Sequence, residues 1–368
     1  MPATNDAAAL LAVVPRWIVA SLGEPGVDQV EDIELDLGRP PRVHVRNQDM
    51  PVVLPREVVA EDLQYVLGRI TRFREDNRTG IERTLHRIAC IRDRYHEIVG
   101  FTFRIGRAID GAALPLRDLL QSRRNVLLVG RPGAGKTTIL RSAAAILSDQ
   151  LHRRVVIADT SNEIGGEGQI PHPAVGSARR LQIPLADANR PGDSGDRQAS
   201  IILQAVVNHR AEAIIVDELG FASDARTART IGHRGIQLIA TAHGSSLRDV
   251  VFNAELACLV GGLHTVLLPP EEMRRRGAVR HTIQERAGPP VFDCAVEIVR
   301  RDLFLIHPDV AAAVDDILRG RRPSALRRSA EDAPADRKGA RVDDAHMPVA
   351  SSLDAAGGAG AARRGGAV

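Results

Sequence analysis

The sequence predicts an α/β protein with a mainly parallel central sheet, on three observations. Asn125–Thr138, NVLLVGRPGAGKTT, reads as a buried strand, a glycine-punctuated loop and a helix start. Short apolar runs then recur at Arg154–Asp159, Ala213–Glu218 and Gln237–Gly244, each ending in polar residues. Fully buried parallel strands have this form, an unbroken apolar run with ligand-binding groups at the C-terminal end. Between the runs lie the helical stretches Thr138–Gln150 and Asp196–His209, which is the βα alternation of a parallel sheet.

The first stretch fits the phosphate-binding pattern Gly-x-x-x-x-Gly-Lys-Ser/Thr in its strand–loop–helix setting. Its glycines let backbone N–H groups turn inward around phosphate oxygens, and the helix start adds its positive dipole end. Gly130, Arg131, Pro132, Gly133, Ala134, Gly135, Lys136, Thr137 and Thr138 therefore form the candidate nucleotide cradle. Lys136 is assigned to the β- and γ-phosphates and Thr137 to Mg²⁺. Lys136 and Lys338 are the only lysines, so a compact ammonium is kept in a chain whose other cations, histidines apart, are arginines.

Ala213-Ile214-Ile215-Val216-Asp217-Glu218 reads as the second nucleotide-site strand, the Walker B strand. Asp217 is expected to hold Mg²⁺ partly through water, and Glu218 to act as general base on the attacking water. Asp159–Glu163 ends another strand. Its acids fit either water and metal orientation or plain helix capping. Thr241 and His243 stand where a γ-phosphate sensor would stand; for His243 the alternative is a structural histidine. Residues 165–196 read as a long glycine- and proline-rich loop carrying Arg179, Arg180 and Arg190. An arginine on such a loop is a candidate finger for phosphate charge, with a solvated side chain as the alternative.

Upstream, residues 1–118 read as a small α+β domain. Residues 8–22 and Val58–Phe73 have helical spacing, while Val30–Leu37, Val43–Val45 and Val99–Ile105 have strand patterning. Its second half is rich in arginine, including Arg74, Arg78, Arg83, Arg87, Arg92, Arg94, Arg104 and Arg107, as a solvated face, a nucleotide-reaching set or a nucleic-acid patch. Residues 119–308 form the nucleotide domain, with further strands at Thr265–Leu268 and Val296–Val299, a hairpin partner near Phe304–Ile306, and Arg274–Arg276 at an exposed turn. Residues 309–368 read as a short helix followed by an Ala/Gly/Arg tail too poor in large apolar residues to fold.

Composition narrows the classes. An apolar fraction of 44% supports a core, while 3% aromatics make it one of Leu, Ile, Val and Ala. The net charge of +3 neither demands nor excludes nucleic acid. Cys90, Cys258 and Cys294 lie far apart without metal-ligand spacing and suit a reducing compartment. No run is long enough to span a membrane, and Ala7–Val14 lacks the basic start and cleavage site of a signal peptide. The expected location is cytoplasmic. A GTPase would need a base-reading Asn-Lys-x-Asp stretch, which Lys136 and Lys338 cannot supply. A small-molecule kinase would leave Glu218 beside Asp217 unexplained.

With these residues in place, LLVGRPGAGKTT, VIADTSNEIGGEGQIPHPAVGSARRLQIP, AIIVDELG, GIQLIATAHGSSL and REDNRTGIERTLHRIACIRDR together resemble the AAA-type ATPases similar to the stage III sporulation AA protein, in their cyanobacterial and plastid-type branch. The resemblance covers residues 8 to 308. It implies a RecA-like core related to type II and type IV secretion ATPases, ATP as nucleotide, and a homo-oligomeric, hexameric ring acting on an unknown protein partner. It likens Thr241-x-His243-Gly244 to the histidine box of those enzymes and Asp159–Glu163 to their acidic box. Many plastid-type relatives add a single-stranded nucleic-acid-binding domain built on Arg-x-x-x-His, which the tail here is not expected to contain. The function expected is Mg²⁺-dependent ATP hydrolysis in a ring motor or assembly factor; the alternative is a single-stranded nucleic-acid-associated ATPase using the arginine-rich N-terminal region.

Overall fold

Alternating residues in the first third of the chain build a sheet with one buried face. The computed structural model describes residues 6–22, 29–182, 194–220, 222–232, 234–276 and 281–329. The first sheet is antiparallel and comprises β1 (Val30–Asp36), β2 (Arg42–Val45), β3 (Val52–Val53), β4 (Arg78–Gly80), β5 (Arg87–Arg92) and β6 (Ile98–Arg104), in the order β3-β2-β1-β6-β5-β4. Ile33, Leu35, Val43, Val45, Ile88, Phe101 and Phe103 all point to one side, where they meet Leu10, Val14, Ile18, Leu63 and Val66 from the helices. The opposite face carries charge, with Glu34 bonded to His44 (3.2 Å) and Asp32 to Arg104 (3.6 Å).

The helices of this unit are shorter than their spacing suggests. Residues 8–22 form two pieces, α1 (Ala7–Val13) and α2 (Arg16–Ser21), because Pro15 cannot continue the first helix. The apolar stripe over Val58–Phe73 gives only α3 (Ala60–Leu67). It starts where the Asp62 carboxylate accepts the Val59 N–H (3.0 Å) and the Trp17 indole N–H (2.8 Å). Beyond Gly68, Ile70 and Phe73 reach the same core from irregular chain. Phe101 is fully buried and stacks on Phe73 with ring centroids 6.0 Å apart. Phe101→Ala is expected to cost about 3–5 kcal/mol, read as a lowered denaturation midpoint of this unit.

The second sheet has the order β16-β15-β14-β7-β11-β10-β8-β9. Its strands are β7 (Val126–Gly130), β8 (Val155–Asp159), β9 (Arg179–Gln182), β10 (Ala213–Leu219), β11 (Gln237–Ala242), β14 (Cys294–Arg300), β15 (Leu303–His307) and β16 (Leu326–Ser329). From β14 to β9 neighbours run parallel, and β15 and β16 close one edge antiparallel. Leu127 and Val129 face α6 (Ser194–His209), α7 (Ala222–Gly232), α8 (Leu247–Phe252) and α10 (Val310–Leu318). Val126 and Leu128 face α4 (Arg117–Gln121) and α5 (Lys136–Ala145). Helices on both faces explain why β7, β8 and β11 are apolar at almost every position.

Several expectations need correction. The loop at 165–196 contains a 3₁₀ turn at Pro173–Val175 and edge strand β9, and α6 begins at Ser194; Arg190 lies outside the described residues. α5 ends at Ala145, and the chain continues as a π-helical turn over Ile146–Gln150. The strand expected at Thr265–Leu268 is β12 (Leu263–Leu267), which leaves the main sheet to pair with β13 (Thr282–Arg286). Arg274–Arg276 lies not in a turn but in helix α9 (Pro270–Arg276). Within the tail, Leu326–Ser329 adds β16 to the sheet edge, and residues 330–368 lie outside the described residues. Among the described residues no helix is long and apolar enough to cross a membrane.

Candidate functional site

The site gathers at the C-terminal ends of β7, β8, β10 and β11. After buried Gly130 the chain turns through Arg131–Gly135 into α5. Gly133 (φ +76°) and Gly135 (φ +104°) take left-handed backbone, and a Cβ at either would meet nothing within 4 Å. Conformation, not space, therefore demands glycine at both positions. Lys136, Thr137 and Thr138 form the first turn of α5. Lys136 Nζ donates to the Gly130 carbonyl (2.7 Å), folding back over the loop. The Gly130 N–H donates to the Gly244 carbonyl (3.0 Å), which ties the loop to the turn after His243.

Asp217 and Glu218 occupy a β-bulge. The β10–β11 pairing runs in register to Val216↔Ala240 and resumes at Leu219↔Ala242, so β10 holds one extra residue. Glu218 has φ +60°, uncommon for a residue with a Cβ. The bulge turns Asp217 into the protein, 5% exposed, and Glu218 outward. Thr241 pins both, since its hydroxyl donates to Asp217 Oδ1 (3.0 Å) and accepts the Glu218 N–H (2.8 Å). His243 Nε2 lies 2.6 Å from Glu218 Oε1, with both side chains open to solvent.

Asp159 is fully buried and accepts the N–H groups of Ile164 (3.2 Å) and Gly165 (2.8 Å). These bonds close a loop, and since no helix starts between β8 and the 3₁₀ turn at Pro173–Val175, the expected helix capping by Asp159 is not what they do. Arg141, buried on α5, closes the same loop from the other side by donating to the Ile164 (2.7 Å) and Glu163 (2.5 Å) carbonyls. The Glu163 carboxylate is thereby presented to the Thr137 hydroxyl (3.5 Å) and to Arg87 of β5 (3.6 Å). Burial, against the pull of Asp159, Asp217 and Glu163, lowers the Arg141 pKa to about 10. Burial also raises that of Asp159. Asp217 is pushed up to about 7 by burial and then by the charges of Asp159 and Glu163, despite the Thr241 bond.

This excess of negative charge around Asp217 suits a cation. Thr137, Glu163 and Asp217 offer hard oxygen donors, the chemistry Mg²⁺ prefers. Among the described residues no group of three or more His, Cys, Asp or Glu makes a metal site alone. Mg²⁺ there would take most of its ligands from water and phosphate, as it commonly does.

Arg141 and Gln198 did not stand out in the sequence. Arg141 falls one turn beyond Thr137 on the same helix face, a spacing that could have drawn notice. Gln198 is buried on α6, where it accepts from Thr160 Oγ1 (2.8 Å) and donates to the Glu218 carbonyl (3.3 Å). Arg180 donates to the carbonyls of Gly166 and Gly168 and to that of Gln169 (2.9 Å), bracing the loop after Glu163. Arg179 is exposed at the start of β9, three residues or about 10 Å back from the level of Asp159. In the first unit, Arg74 pairs with Glu167 (2.7 Å), Arg92 donates to Asn77 (2.8 Å) and Arg107 to the Val30 carbonyl (2.5 Å). These arginines are engaged within the protein. The same unit grips the site loop, with Glu82 accepting the Gln169 (3.0 Å) and Ile170 (2.6 Å) N–H groups and Asp6 meeting buried His172 (2.8 Å).

No family model matches the chain. It is 39% identical over 319 residues to the uncharacterized protein ycf45 of Cyanidium caldarium, covering 86% of this chain and 92% of that one. It is 40% identical over 321 residues to the protein SEEDLING PLASTID DEVELOPMENT 1 of Arabidopsis thaliana, covering 87% of this chain and 45% of that one. Stage III sporulation protein AA of Bacillus subtilis (strain 168) is 27% identical over 272 residues, covering 67% and 84%. The chain spans about half the length of the Arabidopsis protein and 56% of the Porphyra purpurea ycf45 protein. Similar solved structures include the Legionella pneumophila ATPase DotB (TM-score 0.45, 17% identity, 74% of this chain and 80% of that one) and the pilus retraction motor PilT with bound ADP (TM-score 0.42, 18% identity, 74% and 82%).

Proposed function

The chain belongs to the ycf45 family, in which the stage III sporulation AA protein is a more distant relative, and on that footing we propose that it is a Mg²⁺-dependent ATP hydrolase. The observation that carries this reading is the bulge at Asp217-Glu218 facing the glycine loop: one acid turned in, the next turned out. Inward Asp217 suits holding a metal through water beside Thr137. Outward Glu218 suits taking the proton of a water attacking the γ-phosphate. His243 orients the Glu218 carboxylate, and Thr241 holds the strained backbone that separates the two acids.

The residues of the glycine loop cradle the phosphates, and Lys136 leaves the Gly130 carbonyl to meet the β- and γ-oxygens. Mg²⁺, when bound, supplies neutralisation of phosphate charge. In this reading Thr137 and Asp217 hold it, with Glu163 at the margin. A homo-oligomeric ring completes the site from a neighbour. Arg179 and Arg104 are the arginines to supply it, because Arg180 serves the carbonyls of its own loop. Three free cysteines among the described residues suit a cytoplasmic location.

The test is steady-state phosphate release from ATP against protein concentration, with Lys136→Ala beside wild type. The expected result is a specific activity that rises with concentration and falls at least about 100-fold in the variant. A variant as active as wild type overturns the assignment of the site; a flat concentration profile overturns the shared site alone.

A further inference from the structure

The end of the main sheet opposite the nucleotide site carries a second pattern. Four neighbouring parallel strands there are each entered from a helical segment through a short turn, and all four turns are basic. Ser122-Arg123-Arg124 leads into β7, Arg234-Gly235 into β11, His209-Arg210 into β10, and His152-Arg153-Arg154 into β8. These four strands are neighbours in the order β7-β11-β10-β8. Three strand spacings set the outer turns about 14 Å apart.

The backbone makes the pattern more than composition. Arg123 (φ +58°), His152 (φ +51°) and Arg210 (φ +47°) are left-handed, at the position after a helix end where glycine is the low-strain choice. The fourth turn takes that choice, at Gly235 (φ +70°), with Arg234 just before it. Three of four turns thus keep a basic side chain where the backbone favours none.

Two roles can be separated by contacts. Arg124, Arg153 and Arg154 staple the turns together: Arg124 to the Asp293 carbonyl (3.0 Å), Arg153 to the Leu120 carbonyl (3.1 Å) and the Gln237 side chain (2.7 Å), Arg154 to the Arg210 carbonyl (2.9 Å). Arg123, Arg210 and Arg234 are exposed, and no described residue hydrogen-bonds or salt-bridges to their guanidinium groups, though the Arg123 charge is felt by Glu212. The acids nearby are engaged: Glu212 accepts the Arg154 N–H (3.1 Å) and Asp293 the Asn125 N–H (2.7 Å).

We propose that this row of exposed arginines at the N-terminal edge of the main sheet is a docking surface for the phosphodiester backbone of a nucleic acid. No aromatic residue stands in the four turns, so the surface suits backbone contact rather than base stacking. Arg123, Arg234 and Arg210 precede the neighbouring strands β7, β11 and β10 and so span about 10 Å, over which one nucleic-acid strand presents about three phosphate charges at about 3.4 Å each. The inference stands apart from ATP hydrolysis, since the row is distant from the phosphate loop and binding is measurable without nucleotide.

The test is fluorescence anisotropy of labelled 20-base-pair DNA and of labelled single-stranded RNA with the full chain, over a salt series. The perturbing variant is Arg123→Gly/Arg210→Gly/Arg234→Gln, whose two glycines suit the left-handed positions and so remove charge without straining the fold. Loss of three phosphate contacts is expected to flatten the slope of log affinity against log salt by about 2.7 for duplex or about 2.1 for single strands. The probe that shows the change identifies which nucleic acid docks. A control, Arg39→Gln/Arg42→Gln on the first unit, is expected to keep the wild-type slope. The proposal is overturned by no binding to either probe at 50 mM salt, by an unchanged slope in the triple variant, or by an equal flattening in the control. It is also overturned if the chain sediments with vesicles containing phosphatidylserine while ignoring both polynucleotides.

Discussion

Glu218→Gln is expected to bind ATP within a few-fold of wild type and to hydrolyse it about 100- to 10,000-fold more slowly. The amide is nearly isosteric, so it can still meet His243 Nε2, which now lies 2.6 Å from the carboxylate. The Glu218 N–H bond to Thr241 belongs to the backbone and is untouched, so the bulge and the inward turn of Asp217 survive. What is lost is the ability to accept a proton. Nucleotide binding by fluorescent-analogue titration and turnover by phosphate release separate the two effects. Turnover within tenfold of wild type would mean that another group activates the water. His243→Ala gives a contrast, because it removes only the partner that orients Glu218 and should slow turnover less than the amide does.

The parts of this site that lie on strands were legible because a buried parallel strand announces itself by an apolar run with polar residues at its C-terminal end. Val126–Gly130, Val155–Asp159, Ala213–Leu219 and Gln237–Ala242 all obey that rule. Alternation found β1, β2 and β6 equally well, because one face of their sheet is charged. β9 escaped because Arg-Arg-Leu-Gln has no apolar run and pairs on one side only. β16, with its two central arginines, escaped for the same reason, and it pairs on one side only with β15. The extent of α3 was overstated because Ile70 and Phe73 keep the stripe's chemistry after the helix has ended. Arg141 and Gln198 act through groups 20 or more residues away in sequence, Glu163 and Glu218, so no local pattern records them. The bulge was hidden too: two adjacent acids state that one points in and one out, but not that Glu218 takes left-handed backbone to achieve it.

Asp217→Asn is expected to stabilise the nucleotide-free protein while abolishing most of its turnover, and the stabilisation should depend on pH. The carboxyl titrates near 7 in the folded protein instead of 3.8, first because it is buried and then because Asp159 and Glu163 stand nearby. A raised carboxyl pKa means that the folded state holds its proton more tightly than the unfolded state. The folded protein therefore loses stability as pH rises from about 4 to about 7, and above that the penalty is complete. A difference of about three pKa units corresponds to about 4 kcal/mol as an upper figure. Asparagine carries no charge, and its Oδ1 still accepts the Thr241 hydroxyl in place of Asp217 Oδ1. Denaturation of variant and wild type in EDTA should nearly coincide at pH 4 and separate progressively up to pH 7, the variant being the more stable. A gap that is constant from pH 5 to 8 would assign the effect to packing rather than to ionisation. The same ionisation predicts that wild-type affinity for Mg²⁺-ATP weakens as pH falls below 7, because Asp217 must lose its proton to serve a cation. In the proposed hydrolase, the instability of the free site and its affinity for a divalent ion are then two readings of one buried carboxylate.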